Sequence, residues 1–489
     1  LVKNPCGGAR IAAQAQTTKT EYSYTFEAFS RINFTHHHSS KFFYNNKFMN
    51  ISLVTIGTRG DVQPFIALAL HLQQQGHTPT ICSNINMKTM VEKVGIRFAP
   101  IHVDTEVLYA SEEGKNFLRT GNFAELLKAG NAWFRRVLQE LTDGIVAGCQ
   151  GADLIISGFL VDEIAIAIAE KNKIPFIASN FAPFVPSSSV PGILVTTKNL
   201  GFSFLNTATQ ALQELVNWNG KKDDINRVRR SFGLPAVRSS LFKRIQTQSI
   251  PFLGAWSPQL FPQPNDWGAE KLVTGAWRLP NSVRTHIGDH EAPPKLVQWL
   301  DAGDAPFFFS FGSMPLLDPA NVVQACIEAT RKHKVRIIFG AGWSDIRALQ
   351  HVGTDAIYFL SESVNHEWLF ERCAGVIHHG GSGSTATSAA AGCPTWVFSL
   401  FLDQPFWGSR VQKLGIGGHT PYTQFSTATF EKALLHLREP HVIKRAKELG
   451  TRMSRENGAE NAARFIQEWY QTMPVPEAEK KWPLRTTEA

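Results

Sequence analysis

AGVIHHGGSGSTATSAAAGCPTWVFSLFLDQPFW, residues 374–407, is the stretch that decides the fold. An apolar run at 374–377 meets His378 and His379 and then Gly380, Gly381 and Gly383. Small helix-compatible residues follow over 384–391, until Gly392 and Pro394 stop them. A second apolar run over 395–400 ends at Asp403 and Gln404. The order is strand, glycine turn, helix, strand, with polar residues at the carboxyl ends of both strands. In an open parallel sheet those ends line the ligand crevice. Glycines let backbone approach a phosphate, and the free N–H groups and dipole of the next helix favour an anion. An ordinary βαβ crossover would use its glycines for tight packing alone. Two histidines, serine hydroxyls and an Asp-Gln pair in one crevice predict a phosphate-bearing ligand instead.

Outward from this stretch the alternation repeats. Strands expected at 51–56, 78–83, 97–100, 154–157 and 175–179 alternate with helices at 64–75, 88–94, 122–147 and 162–171. Pro64 suits a first helical turn, where no N–H is needed. Beyond the Pro-, Gly- and His-rich residues 279–294, strands at 307–311, 335–339 and 357–360 and a helix at 319–332 restart the pattern. Helices at 404–414, 427–437, 441–452 and 459–469 close it. Such alternation predicts an α/β protein with doubly wound parallel sheets. At 489 residues the chain exceeds one typical core, so two domains are expected, at 49–278 and 295–455, joined by a linker at 279–294. A helical segment at 456–473 and a tail at 474–489 follow.

Residues 1–48 are rich in Thr, Ser and Asn, poor in acids and aperiodic, and Met49 abuts the first strand. They read as a disordered or non-native extension, with an organellar transit peptide as the alternative. Hydrophobic content of 43% with 18% charged residues describes an ordinary globular protein. The net charge is +8, and residues 1–48 carry half of it, with six basic and two acidic residues. The remaining body is only slightly basic, which argues against a nucleic-acid partner. Cysteines 6, 82, 149, 326, 373 and 393 form no Cys-x-x-Cys pair and read as reduced, buried thiols of a cytoplasmic protein. No apolar run approaches the ~20 residues that span a bilayer.

Residues 183–250 break the rhythm. Pro183, Pro186, Pro191 and Gly192 make loop, and then 200–218 carries Phe202, Phe204, Leu205, Leu212, Leu215, Val216 and Trp218. Lys221, Lys222, Arg227, Arg229 and Arg230 come next. Apolar spacing of this kind is expected to pack a helix on its own domain. Beside basic charge it also fits a helix lying on a membrane surface, and hence a peripheral membrane contact.

HHGGSGSTA (378–386) followed by DQPFWG (403–408) resembles the nucleotide-sugar signature of family-one glycosyltransferases with the GT-B fold. It is most similar to their sterol and lipid glucosyltransferase branch, whose usual form is HHGGAGTTA with GDQPFWG. Here Ser382 and Ser384 replace the usual Ala and Thr, and Leu402 stands where Gly is usual. WSPQLFPQPNDWG (256–268), SVNHEWLF (363–370) and GTRGDVQPF (57–65) resemble further segments of that branch, and the match covers most of residues 50–470. The resemblance implies two Rossmann-like domains facing a cleft, with a last helix that crosses back to the first domain.

It also implies an activity, the inverting transfer of a hexosyl group, glucose from UDP-glucose, to a hydroxyl of a sterol or another hydrophobic acceptor. His378 then contacts the diphosphate, and Gly380, Gly381, Ser382, Gly383 and Ser384 share its charge through their N–H groups. Ser313 belongs to the same donor site. Asp403 and Gln404 hold sugar hydroxyls, and Val364, His366 and Trp343 hold the base of the nucleotide; Trp343 also reads as core. For Asp61 the turn alone leaves two readings open, a base at the sheet edge or a cap of the next helix. In the family that Asp faces the acceptor, as the catalytic base. Arg59 orients its loop, and Asp162 and Glu163 are acceptor-side candidates after another strand. No Asp-x-Asp and no His/Cys cluster with metal spacing occurs in the body, so no metal and no cofactor beyond the donor substrate is expected. Rival readings are a transferase of antibiotic, polyketide or flavonoid aglycones and a nucleotide-sugar-binding protein without turnover. A Rossmann dehydrogenase fits poorly, because the first turn lacks Gly-x-Gly-x-x-Gly.

Overall fold

Thirteen short runs rich in β-branched and aromatic residues form the strands of the computed structural model. It describes residues 48–105, 123–287, 292–312, 318–340, 354–360 and 363–473, the side chains of 123–126 excepted. The expected extension, but for Phe48, and the tail from 474 lie outside the described residues. The first sheet holds β1 (Asn50–Val54), β2 (Thr78–Asn84), β3 (Arg97–Ile101), β4 (Leu154–Ser157), β5 (Phe176–Asn180), β6 (Phe252–Gly254) and β7 (Lys271–Val273). Its order is β3-β2-β1-β4-β5-β6-β7, with every pairing parallel.

The second sheet holds β8 (Phe307–Ser310), β9 (Ile337–Gly340), β10 (Ile357–Leu360), β11 (Gly375–His378), β12 (Thr395–Ser399) and β13 (Gly417–Pro421). Its order is β10-β9-β8-β11-β12-β13, again parallel throughout. The doubly wound expectation is met twice. Each order reverses once, between β1 and β4 and between β8 and β11. Chain leaving the carboxyl ends at such a point opens a crevice.

Three strands were not expected from the sequence. β6 and β7 are three residues each, too short for periodicity to reveal. β13 contains two glycines because a Cβ on Gly418 would meet the Trp396 ring at 2.2 Å. The helix expected over 122–147 is two, Phe123–Arg136 and Leu138–Gly148, broken at Val137.

Seven helices bear on the site and its surroundings: α1 (Arg59–Gln74), α2 (Asp162–Asn172), α3 (Ser203–Asn219), α4 (Lys222–Ser231), α5 (Ser382–Ala390), α6 (Gln404–Leu414) and α7 (Gly458–Gln471). For α3 the expectation of inward apolar packing holds for Trp218, which is buried in the core, and fails for the rest of the apolar stripe. Phe204, Leu212, Leu215 and Val216 are exposed, whereas Asn206 and Gln210 are buried. Among the described residues no helix is long and apolar enough to cross a membrane. Five described cysteines are free, and four of them are buried.

The described residues form one compact unit, and side chains join its two sheets. Arg410 of α6 donates from Nε to the Leu260 carbonyl at 2.9 Å, and its guanidinium lies over Phe261. Phe261 meets Phe406 edge-on at 5.2 Å. Glu456 accepts from Ser257 Oγ at 2.7 Å. α7 then returns to the first sheet, where Ala459, Ala462, Ala463 and Ile466 share a core with Phe65 and Leu72 of α1. The crossing needs a glycine, because a Cβ on Gly458 would lie 2.4 Å from the Ala276 carbonyl oxygen. Ile466 is fully buried in that joint. Ile466→Ala should lower stability by about 2–5 kcal/mol in denaturant unfolding, the usual cost of such a cavity.

Candidate functional site

The site is built where the two crevices meet. In the first half β1 runs into Gly57 and Thr58, and Thr58 caps α1. Asp61 stands at the third helical position and closes a capping box. Its Oδ2 accepts from Thr58 N–H at 2.7 Å and from Thr58 Oγ1 at 3.0 Å. Asp61 is therefore not the cap residue itself but its reciprocal partner. Both bonds use one oxygen, and Oδ1 is left for another partner. Gly57, at φ +139°, makes room for this carboxylate, since a Cβ there would lie 2.3 Å from Oδ2. Asn84 and Thr105, which the sequence reading did not pick out, pin Gly57: Asn84 through both backbone groups and Thr105 through the carbonyl. Burial pushes the Asp61 carboxyl above its ordinary range despite the two Thr58 bonds.

Asp162 and Glu163 follow β4 at the same sheet edge. Asp162 is buried and accepts the N–H of Glu163 at 2.9 Å. Burial, with the Glu163 charge adding to it, pushes its carboxyl up to about 7. Glu163, expected on the acceptor side, is committed elsewhere. Its carboxylate pairs with the buried Arg244 and accepts the Leu241 N–H. Arg59 also differs from expectation. Its guanidinium reaches Ser363 Oγ at 3.4 Å and the Ile287 carbonyl at 3.5 Å, and so bridges to the second half.

In the second half β11 delivers His378, which is 2% exposed. Its Nδ1 accepts the Gly380 N–H at 2.9 Å, so the ring proton belongs on Nε2. Nε2 is buried with no partner among the described residues. Burial, helped by His379 and His366, holds this imidazole well below its ordinary pKa, and it is neutral. His378 therefore offers a neutral N–H. His379 is likewise neutral, pushed down to about 4 by burial, and its Nδ1 also lacks a partner among the described residues.

Gly380 sits at φ +95°, where a Cβ would strike Val397 Cγ1 at 2.6 Å. Gly381 then precedes α5, which no side chain caps. The N–H groups of Ser382, Gly383 and Ser384 open the helix without a partner among the described residues. A Cβ on Gly383 would meet nothing within 4 Å. Open space over uncapped amides, beside an unpaired imidazole N–H, is what an anion needs.

The loop after β12 carries Leu402 at φ +52°, a left-handed conformation at the position where the resembled family has Gly. Gln404 fixes that loop, its Oε1 accepting from Leu400 N–H at 2.9 Å and Phe401 N–H at 3.2 Å. Only its NH2 is left to donate. Asp403 Oδ2 accepts from Trp407 Nε1 at 3.0 Å, one turn along α6. Burial pushes the Asp403 carboxyl up to about 7, and the charge of Asp61 adds to the rise. The Asp61 charge is thus felt at Asp403 across the two halves.

His366 stacks on Phe370 at 5.0 Å and lies near enough to affect His378. Val364 is buried in the core of the second half, so only its backbone can address a ligand. Ser313 and Trp343 lie outside the described residues. Thr58 and Trp407 are the functional neighbours that sequence reasoning missed. The T-x-x-D and D-x-x-x-W spacings were their signals.

Residues 51–191 match the glycosyltransferase family 28 N-terminal domain, and residues 358–466 match the erythromycin biosynthesis protein CIII-like C-terminal domain. The chain is 32% identical to sterol 3-beta-glucosyltransferase UGT80A2 of Arabidopsis thaliana, over 85% of this chain and 65% of that protein. It is 32% identical to a sterol 3-beta-glucosyltransferase of Leptosphaeria maculans, over 86% of this chain and 28% of that protein. The chain thus spans less than two thirds of the length of either relative. Among solved structures, a glycotransferase of kitacinnamycin aligns with TM-score 0.62 and 16% identity, over 86% of this chain and 99% of that one. That likeness establishes the two-domain GT-B fold.

The raised Asp403 carboxyl makes a stability prediction with a definite sign. Its folded pKa of about 7 exceeds the ordinary 3.8, so the native state holds the extra proton between those values. Its contribution is then present at low pH and is lost as pH rises from about 4 to about 7. Asp403→Asn keeps an acceptor for Trp407 and removes the titration. Thermal midpoints of variant and wild type should diverge in the variant's favour across that window, with a constant difference above it.

Proposed function

We propose that this chain, which has the GT-B fold and matches the glycosyltransferase family 28 N-terminal domain over residues 51–191, transfers a hexosyl group, glucose from UDP-glucose, to a hydroxyl of a sterol or another hydrophobic acceptor. The observation that carries this reading is the opposition of two sites. A half-buried carboxylate with one unclaimed oxygen, Asp61, belongs to the turn that Arg59 ties to the second half, where the Asp403 loop adjoins uncapped amides and an unpaired imidazole N–H.

In the reaction the acceptor oxygen attacks the anomeric carbon as the bond from that carbon to the diphosphate oxygen breaks. The acceptor proton passes to Asp61 Oδ1. A carboxylate with a raised pKa is the better base for this step. The leaving diphosphate gains negative charge, which the Nε2–H of His378 and the amides of Ser382, Gly383 and Ser384 stabilise. These donors are fixed before the reaction, so they need no reorganisation as charge develops. Asp403 and the NH2 of Gln404 hold sugar hydroxyls, while His366 and the Val364 backbone flank the base of the nucleotide. One displacement by the acceptor inverts the anomeric centre. With the charge met by protein dipoles, the chemistry calls on no metal and no further cofactor. The unpaired cysteines suit a reducing, cytoplasmic compartment. An apolar acceptor brings such an enzyme to a bilayer surface.

Asp61→Asn keeps the bonds of the capping box and removes the base. kcat should fall by about 10²–10⁴-fold, while UDP affinity and thermal midpoint change little. A near-normal kcat at saturating acceptor, with chemistry limiting, would make Asp61 a turn residue only. Gly383→Ala separates fold from donor binding in a different way. The methyl enters open space on a helix, so the thermal midpoint should hold or rise slightly. It occupies the room proposed for phosphate, so calorimetric UDP affinity should drop by about tenfold or more, the scale of one lost charged hydrogen bond. Unchanged affinity would remove the start of α5 from the donor site.

A further inference from the structure

We propose that α3 is a bilayer-docking helix, which binds anionic lipid through an apolar outward face and the basic segment beside it. The inference names the surface that would bring the proposed hydrophobic acceptor to the cleft. Its physical basis does not use glycosyl transfer.

The amphipathicity of α3 is inverted relative to an ordinary surface helix. Apart from Trp218, buried near its C-terminal end, its inward side carries polar side chains, and each is used. Gln210 accepts the Ser187 N–H and donates to the Ser187 and Val190 carbonyls. Gln213 accepts the Leu194 N–H, and Asn206 accepts the Leu200 N–H and donates to the Ser188 carbonyl. Thr209 accepts the Gly192 N–H. The helix is therefore held by hydrogen bonds to the backbone of the 187–200 loop, and its orientation is fixed by them. Turning it over would bury leucines against a polar loop and strand that backbone without partners.

The outward side is left apolar. Phe204 is 68% exposed, Phe202 62% and Leu215 57%, with Leu212 and Val216 beside them. No described residue covers this face, and no acidic side chain stands on it. Glu214, the one acid of the helix, is bound to Ser240 on the inner flank.

The charge around it selects the occupant. Residues 49–489 carry 43 basic and 39 acidic residues, of which the segment 195–247 holds nine and three. The remainder of the body is thus net negative. Arg227 pairs with Asp224, and Arg229 and Arg244 are buried against Glu170 and Glu163, so six of the nine basic residues stay outside these pairs. Two of the three acids are already taken, Glu214 by Ser240 and Asp224 by Arg135 and Arg227. Lys198, Lys222, Arg230 and Lys243 are exposed. Aromatic and aliphatic side chains flanked by unneutralised lysine and arginine match the acyl and headgroup layers of an anionic bilayer.

The position suits delivery to the cleft. Just past the end of α3, the Lys221 ammonium lies 5.7 Å over the Phe159 ring. Phe159 stacks with Phe184 at 5.2 Å and with Phe242 at 5.9 Å, and it follows β4 on the crevice side. One residue before it, the Gly158 N–H bonds the Val54 carbonyl of β1, whose next residue Thr55 bonds the Asp61 carbonyl. An aromatic stack thus connects the end of the docking helix to the turn that carries Asp61.

The test is co-sedimentation of the full chain with vesicles of phosphatidylcholine alone or with about one-third phosphatidylserine. Wild type should sediment with the anionic vesicles, release at high salt, and bind neutral vesicles at least about tenfold more weakly. The double variant Leu212→Asp/Leu215→Asp changes only exposed positions and should keep the wild-type thermal midpoint. It should lose at least about tenfold in vesicle affinity. Its glucosyl transfer to a detergent-dispersed sterol should be unchanged. Wild type left in the supernatant with both vesicle types, or a variant that sediments like wild type, overturns the proposal. A wild type that binds no vesicle and is dimeric, with a monomeric variant, assigns the face to a second copy and overturns it too. Vesicle binding without any glycosyl transfer leaves the docking surface standing and removes the enzymatic reading.

Discussion

The two halves of the site keep their relation because α6 is tied to the first domain. Arg410 donates to the Leu260 carbonyl while its guanidinium covers Phe261, and Phe261 fits edge-on against Phe406. The helix fixed in this way begins at Gln404, and Trp407 on it holds Asp403. The same wedge that joins the domains therefore sets the distance between Asp403 and Asp61. The charge of Asp61 adds to the rise of the Asp403 pKa that burial causes. An acceptor hydroxyl and a sugar brought between them would meet a preformed pair, not one assembled from two independent surfaces.

The proposed anion site is made of dipoles. His378 and His379 are both held neutral by burial, and a charged imidazole at either position would need a counter-ion that the core does not offer. A neutral N–H together with uncapped helix amides gives smaller interactions than a cation would. They are fixed in direction, however, and need no proton taken up from solvent. The bond from the Gly380 N–H to Nδ1 fixes the tautomer of His378 and leaves Nε2 as the donor.

The strands of the second half and the glycine turn were legible because their signal is local. Runs such as 374–377 and 395–400 are continuous, and Gly380 is required by a positive φ that only glycine meets cheaply. Asp61 was legible as a candidate but not its geometry, since the choice between Asp61 and Thr58 as the cap depends on which residue turns first. Glu163 was misread because its partner Arg244 lies 81 residues away. No spacing rule reports such a pairing. The orientation of α3 was hidden for a related reason. Its spacing reveals two faces, but which face is inward depends on whether the neighbour is a core or a bare loop backbone. Here residues 187–200 supply the backbone, and the amides of Asn206, Gln210 and Gln213 outcompete the leucines for the interior.

The free thiols carry a consequence of another kind. Burial drives the thiols of Cys82, Cys149, Cys326, Cys373 and Cys393 upward, Cys149 to about 12, so none forms thiolate near neutral pH while the fold is closed. They are distributed over both sheets, with Cys82 and Cys149 in the first half and the other three in the second. Each half thus contains its own silent probe. Alkylation at Cys82 and at Cys393 reports how often each domain opens, so the mass of labelled peptides reads the two domains as separate clocks in one chain.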